Sequence, residues 1–251
     1  MENVCIEHHD GVALVRLTRS ITNALNFDLV NELQECLHTV GNDPDVCGVV
    51  IASFNEKFFS IGLDIPYLYE LTKKEVTFFY HKFNQVCISL YTLPKPTIAA
   101  VTGHAVAGGC ILTLCCDYRF IAEGRKLMGL NEIKLGVPVP YPADCILQQI
   151  VGTQTAREIV YTGEFYLPEQ LVKMGVVDCV LPLREVISKA IEKAHLLGGM
   201  PQKACAIIKR NRVEAVEARI LKHLAEKEQL FIECWYSDEA RQRLREAMEK
   251  F

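Results

Sequence analysis

Long apolar runs are missing from this 251-residue chain, and none reaches the roughly 18 residues that a membrane-spanning helix needs. The opening MENVCIEHHDGVALVRL also lacks the positive end of a secretion signal. The expected address is therefore the cytoplasm, or an organelle if a transit segment has been removed; the terminal EKF is not the peroxisomal tripeptide SKL. A surplus of positive charge is missing too. The 27 Lys and Arg are scattered and outnumbered by 31 Asp and Glu, for a net charge of −4. No basic stripe supplies the counterion-release term behind nucleic-acid affinity, so nucleic acid is not an expected partner.

Metal-site spacing is absent as well: no pair of His falls at ligand spacing with an acidic third member, and no metal is implied. His8 and His9 read as a solvated N-terminal turn, and His81 and His104 as packing or capping residues. Neither GxGxxG nor GK[ST] occurs, so nothing specific supports a phosphate cradle. Eleven Cys are present, but odd in number, scattered and set in apolar runs, which describes reduced core thiols rather than a disulfide framework. Linkers, low-complexity tracts and internal repeats are lacking, and the chain reads as one domain.

What remains is half hydrophobic and strongly patterned. VALVRL (12–17) and CGVVIAS (47–53) read as strands flanking a helix on which Leu29, Leu33, Cys36 and Leu37 recur at helical spacing, closed by Gly41, Asn42, Asp43 and Pro44. A second helix over EVTFFYHKFNQVCISLYTL leads to the strand PKPTIAAVTG (94–103), then to an apolar run entered through Gly108 and Gly109. Strands alternating with helices imply an α/β sheet with crossover connections. Beyond Thr153 the β signal fades: helices are expected over TAREIVYTG, LPEQLVKMG and REVISKAIEKAHLLGG, with one short strand in VVDCVLP. The last fifty residues, rich in Ala, Glu, Lys, Leu and Arg, should form amphipathic helices that pack on a neighbouring subunit.

Three stretches are poor choices for plain packing. In FFSIGLDIPYL (58–68), Gly62 sits where a strand-like segment turns and leaves amide N–H groups outside the sheet; an ordinary tight turn has the same appearance. In GHAVAGGCILTLCCD (103–117), two glycines precede a buried helix, a way of bringing N-terminal amides to a ligand. In GLNEIKLGVPVP (129–140), Glu132 stands alone among apolar residues. It either pairs with Lys134 or caps a surface turn, or it is desolvated and so tuned toward general-base work. Two amide donors and one dry carboxylate are the minimum set for abstracting a proton beside a thioester carbonyl.

FFSIGLDI, GHAVAGGCILTLCCDYRF, NEIKLGVP, GVVDCVLP with the preceding LPEQLVKM, and the terminal SDEARQRL, taken in this order, resemble the crotonase (enoyl-CoA hydratase/isomerase) superfamily along nearly the whole chain. The resemblance implies an α/β fold in which residues 1–195 form a crotonase-like spiral of ββα units and 196–251 a C-terminal helical region for trimerisation, all in one continuous domain. It implies a homotrimer or dimer of trimers, an acyl-CoA thioester as substrate, and no cofactor beyond the coenzyme A that the substrate carries. Residue by residue, the oxyanion donors become the amides of Leu63 and Gly108. Ser60, Ile61, Gly62, Leu63 and Asp64 become the thioester path, and Asn131 a neighbour of the acyl chain.

Hydratases of the superfamily resemble one another in two glutamates, whose positions here are Ile111 and Glu132. A branched aliphatic cannot hold the water that hydration adds, whereas one carboxylate suffices for a 1,3 proton shift. GLNEIKLG with CDYRF before it resembles the Δ3,Δ2-enoyl-CoA isomerases, apart from Ile61 where that group usually has Ala. The expectation is a 3-enoyl-CoA to 2-enoyl-CoA isomerase of the fatty-acid β-oxidation type, with Glu132 as its single base. Decarboxylation, hydrolysis or hydration of thioesters, and a non-catalytic crotonase-like subunit, are the alternatives. Tyr141 is a candidate wall or packing aromatic, and Trp235 a packing residue or, by the resemblance, a contact to a neighbouring subunit or the CoA. Lys203, Lys209, Arg210, Lys222, Lys227 and Lys250 are candidate cations for the CoA phosphates, not separable by sequence.

Overall fold

The computed structural model describes residues 2–249. A hairpin opens the chain, with β1 (Val4–His9) antiparallel to β2 (Val12–Leu17), followed by α1 (Phe27–Asn42). Three strand–strand–helix units come next. In the first, β3 (Gly48–Ser53) and β4 (Phe58–Ser60) lead into short α2 (Ile65–Tyr69) and long α3 (Lys73–Tyr91). In the second, β5 (Thr97–Val101) and β6 (His104–Val106) lead into α4 (Gly108–Leu114). In the third, β7 (Tyr118–Ala122) and β8 (Met128–Gly129) pass through a 3₁₀ turn (Glu132–Leu135) into α5 (Tyr141–Thr162). The chain closes with α6 (Pro168–Lys173), β9 (Cys179–Leu181), α7 (Val186–Gly198), α8 (Gln202–Trp235) and α9 (Asp238–Met248).

The first strand of each unit joins a six-stranded sheet ordered β1-β2-β3-β5-β7-β9, parallel except for the opening hairpin. The second strands form a three-stranded parallel sheet, β4-β6-β8. Alternation decides which residues meet which layer. Val50, Ala52, Ile98, Ala100 and Ala122 bury against Val186, Ala190 and Ala194 of α7, while Val49, Ile51, Ala99, Val101 and Ile121 enter the main core. With both faces covered, β3 and β5 carry apolar residues at nearly every position, the reason they are legible as strands. At roughly 1.5–3 kcal/mol per buried Val or Ile side chain, these two faces hold the sheet in place.

Caps fix the helices that border the site. Asn26 accepts from the Leu29 amide at 3.0 Å to start α1, and Thr72 and Glu75 form a reciprocal capping box at the head of α3. The expected helical spacing of α1 is observed: Leu29, Leu33, Cys36 and Leu37 are all buried.

Four expectations change. His8 and His9 are exposed, but they end β1 rather than forming a turn; the turn lies at Asp10 and Gly11. The apolar run after Gly108 is not one element, because α4 stops at Leu114 and β7 follows from Tyr118. The helix over TAREIVYTG is the second half of α5, which starts at Tyr141 and is kinked at Gly152. The division between 195 and 196 falls inside α7, and α8 packs on α3 and α5 of the same chain, so the C-terminal helices complete the core. No helix among the described residues is long and apolar enough to cross a membrane.

Candidate active site

The C-terminal ends of β4, β6 and β8 each deliver one element of the site, as the carboxyl ends of parallel strands do in open α/β sheets. After β4 the chain turns at Gly62, whose φ of +90° is left-handed and open to glycine at no steric cost. Ser60, wholly buried, builds this turn: its hydroxyl donates to the Asn23 carbonyl at 2.8 Å and accepts from the Gly62 amide at 3.1 Å. Leu25 pairs alongside, donating to the Gly62 carbonyl at 2.8 Å and accepting from the Asp64 amide at 3.0 Å. These bonds occupy the groups on either side of Leu63, whose own N–H has no acceptor among the described residues.

After β6, Ala107 adopts φ +47° and ψ −118°, an uncommon conformation for a residue with a side chain, and its amide is tied to the Gly129 carbonyl at 2.9 Å. Gly108 follows as the first residue of α4, and its N–H likewise has no acceptor among the described residues. The two turns touch: a Cβ on Gly62 would lie 2.9 Å from the Gly108 nitrogen, and one on Gly108 would lie 3.4 Å from the Leu63 nitrogen. Gly109 permits this approach, since a Cβ there would come within 2.3 Å of the Ser60 carbonyl oxygen.

After β8, Asn131 and Glu132 begin the 3₁₀ turn that Gly136 closes. Glu132 is only 6% exposed, and its Oε2 has no hydrogen-bond partner among the described residues. Burial pushes its carboxyl from 4.5 up to about 8. The alternative partner, Lys134, is engaged elsewhere, with Glu164 at 2.6 Å. The surface-cap reading of Glu132 therefore falls.

Leu63, Gly108, Asn131 and Glu132 all line one cavity of about 120 Å³. Ile61 and Ile111 line it too, and Glu132 is its one ionisable side chain among the described residues. Three of the residues expected along the thioester path do not line it. Ser60 and Gly62 form the turn beneath Leu63, and Asp64 points away to pair with Arg19 at 2.7 Å and to cap α2 through the Tyr67 amide. Trp235 and Pro140 are in the wall, but Tyr141 is not; its ring meets His223 edge-on. Phe83, Phe231 and Ala247 also reach the cavity, and sequence reasoning missed them because α3, α8 and α9 carry them there from far along the chain. Asn23, also missed, donates to the Phe59 carbonyl and the Ser53 hydroxyl behind the Gly62 turn.

Among the candidate cations, Lys209 is buried, 2.9 Å from Asp117, and belongs to the core. Arg210 pairs with Glu217 and Lys227 with Glu226. Lys250 lies outside the described residues. His81 contacts Glu228 at 3.0 Å, and His104 accepts from the Leu127 amide at 2.9 Å.

Two parallel sheets wound from strand–strand–helix units, with a dry carboxyl and two free amides at the ends of the smaller one, define a crotonase-fold protein. Known structures agree: the chain superposes on human mitochondrial delta3-delta2-enoyl-CoA isomerase with a TM-score of 0.95 at 26% identity, covering 99% of this chain and 97% of that one. The chain belongs to the enoyl-CoA hydratase/isomerase family, whose profile matches residues 7–251. Its relatives carry both names. It is 33% identical over 181 residues to mitochondrial enoyl-CoA delta isomerase 1 of Mus musculus, spanning 72% of this chain and 63% of that protein's length. It is also 29% identical to the short-chain-enoyl-CoA hydratase of Clostridium acetobutylicum, over 100% of this chain and 96% of the other.

Proposed function

We propose that the protein isomerises 3-enoyl-CoA thioesters to 2-enoyl-CoA thioesters by a proton shift through one base, Glu132. The observation that carries this reading is the solitude of Glu132: one buried carboxyl, its Oε2 without a hydrogen-bond partner, in a cavity otherwise without an ionisable group among the described residues. The thioester carbonyl oxygen accepts from the Leu63 and Gly108 amides, which stabilise negative charge as the C2 proton leaves. Ionised Glu132 takes that proton, the charge spreads over the dienolate, and the carboxylic acid so formed returns the proton at C4. Burial raises the basicity of Glu132 and so narrows the gap between the base and the weakly acidic carbon. Coenzyme A enters as part of the substrate, and the reaction needs no other cofactor.

The hydratase relatives favour a second reading, water addition to 2-enoyl-CoA. Ile111 opposes it. Its side chain is 1% exposed and lines the same cavity, so an aliphatic group stands where a second carboxyl would have to hold water. Parallel assays of the purified protein on 3-enoyl-CoA and 2-enoyl-CoA separate the two. Double-bond migration without 3-hydroxyacyl-CoA supports isomerisation; hydration as fast as migration, or faster, refutes it. Ile111→Glu should add measurable hydration to a protein that has none.

A further inference from the structure

The size and the partition of the cavity bear on which acyl groups fit. A dry cavity of 150 Å³ takes a six-carbon benzene ring, so the roughly 120 Å³ here holds about five carbon-sized atoms, the thioester carbonyl included. Apart from Asn131, Glu132 and the Trp235 indole, every lining side chain is hydrocarbon, which selects an unsubstituted acyl chain.

Two sides of the cavity are firm. Phe83, Phe231 and Trp235 are 1%, 3% and 2% exposed, and the Phe231 ring is stacked on buried Tyr80 at 3.8 Å, so this wall is backed by core. The α3–α8 register beneath it is pinned by the Asn84 amide donating to Glu228 at 2.9 Å. On the α9 side, the Arg241 guanidinium lies 3.3 Å from the centre of the Tyr69 ring and holds α9 against α2. Interiors packed this way yield little to an oversized guest.

The third side is thin. Val137, 3% exposed, lines this cavity and also a separate, more open groove of about 410 Å³ bordered by Ile133, Val139, Val160 and Tyr161. One residue therefore borders both spaces.

Building on the reading of the cavity as the acyl site, we infer that the protein accepts acyl chains of about four carbons and that Val137 is the partition that sets this limit. Longer chains meet Val137, whose truncation joins the cavity to the outer groove and gives the chain a way out.

The test is a ladder of 3-butenoyl-, 3-hexenoyl-, 3-octenoyl- and 3-decenoyl-CoA on wild type, Val137→Ala and Val137→Ile. Wild-type kcat/KM should fall about tenfold or more between four and six carbons, the scale of one overpacked contact. Val137→Ala should flatten that drop, and Val137→Ile should deepen it. A flat wild-type ladder overturns the size limit, and an unchanged drop in both variants overturns the partition. Calorimetric binding of butyryl-, hexanoyl-, octanoyl- and decanoyl-CoA repeats the ladder without turnover. A preserved binding step in a protein that isomerises nothing sinks the isomerase reading and leaves the size limit standing; equal affinity for all four sinks the size limit alone.

Discussion

Replacing Glu132 with Gln should stabilise the protein, by an amount that grows with pH. The folded state raises this carboxyl from 4.5 to about 8, so below pH 4.5 both the folded and unfolded chains carry it neutral and wild type and variant should melt alike. Between those values the unfolded chain ionises while the folded one cannot, and wild type loses stability as pH rises until the folded carboxyl titrates too. At pH 7 the unfolded chain gains about 3 kcal/mol from this ionisation, and above pH 9 the loss levels off near 5 kcal/mol. Gln keeps the shape and has no proton to lose, so it escapes the loss. For a chain of this length, about 3 kcal/mol corresponds to roughly 6–12 °C in Tm. Melting curves of the two proteins at intervals from pH 4 to 9 check this. Parallel curves across the range would refute the claim that burial holds Glu132 neutral.

Two further substitutions probe the frame around the site. Gly109→Ala places a Cβ 2.3 Å from the backbone carbonyl of Ser60, where neither strand nor helix can retreat without separating the Leu63 and Gly108 turns. It should cost 3 kcal/mol or more in chemical denaturation, at the scale of severe overpacking, and normal stability would contradict the close approach of α4 to β4. Lys209→Met leaves Asp117 without its partner at 2.9 Å, although Asp117 still accepts from the Thr97 amide and hydroxyl. About 1–3 kcal/mol of stability should be lost with acyl-CoA affinity of the remaining folded protein unchanged; a large fall in affinity with stability intact would return Lys209 to the CoA-binding candidates.

Much of this molecule was legible in its sequence, for physical reasons that also explain what was not. β2, β3 and β5 announce themselves because strands covered on both faces need apolar residues throughout, and α1 shows its buried stripe at helical spacing. The smaller sheet is nearly invisible: β4, β6 and β8 have three, three and two residues, too few for any period to register, and only β4 shows, as the strand-like segment before Gly62. β1 is hidden because its outer half, Glu7, His8 and His9, is as polar as a loop.

The site divides in the same way. Glu132 could be singled out because a carboxylate costs too much in an apolar run to be there without a purpose, and Gly62 because a left-handed turn calls for glycine. Ala107 gives no such signal: nothing in an alanine foretells a φ of +47°, found just past the β6–β8 pairing where its amide donates to the Gly129 carbonyl. Val137, Phe83 and Phe231 read as ordinary core residues, since only the folded chain brings their elements to one cavity.

The central claim is that the dry carboxyl of Glu132 is the base, and the most direct measurement is the rate of double-bond migration in wild type and Glu132→Gln across pH 6 to 9. Wild-type kcat/KM should rise with pH through a midpoint near pH 8 and level off about a unit higher, as the free enzyme's carboxyl ionises. Folded Glu132→Gln, still able to bind acyl-CoA, should lose a factor of about 10²–10⁴ at every pH. A variant that isomerises at wild-type rates would contradict the account and move the proton to another group.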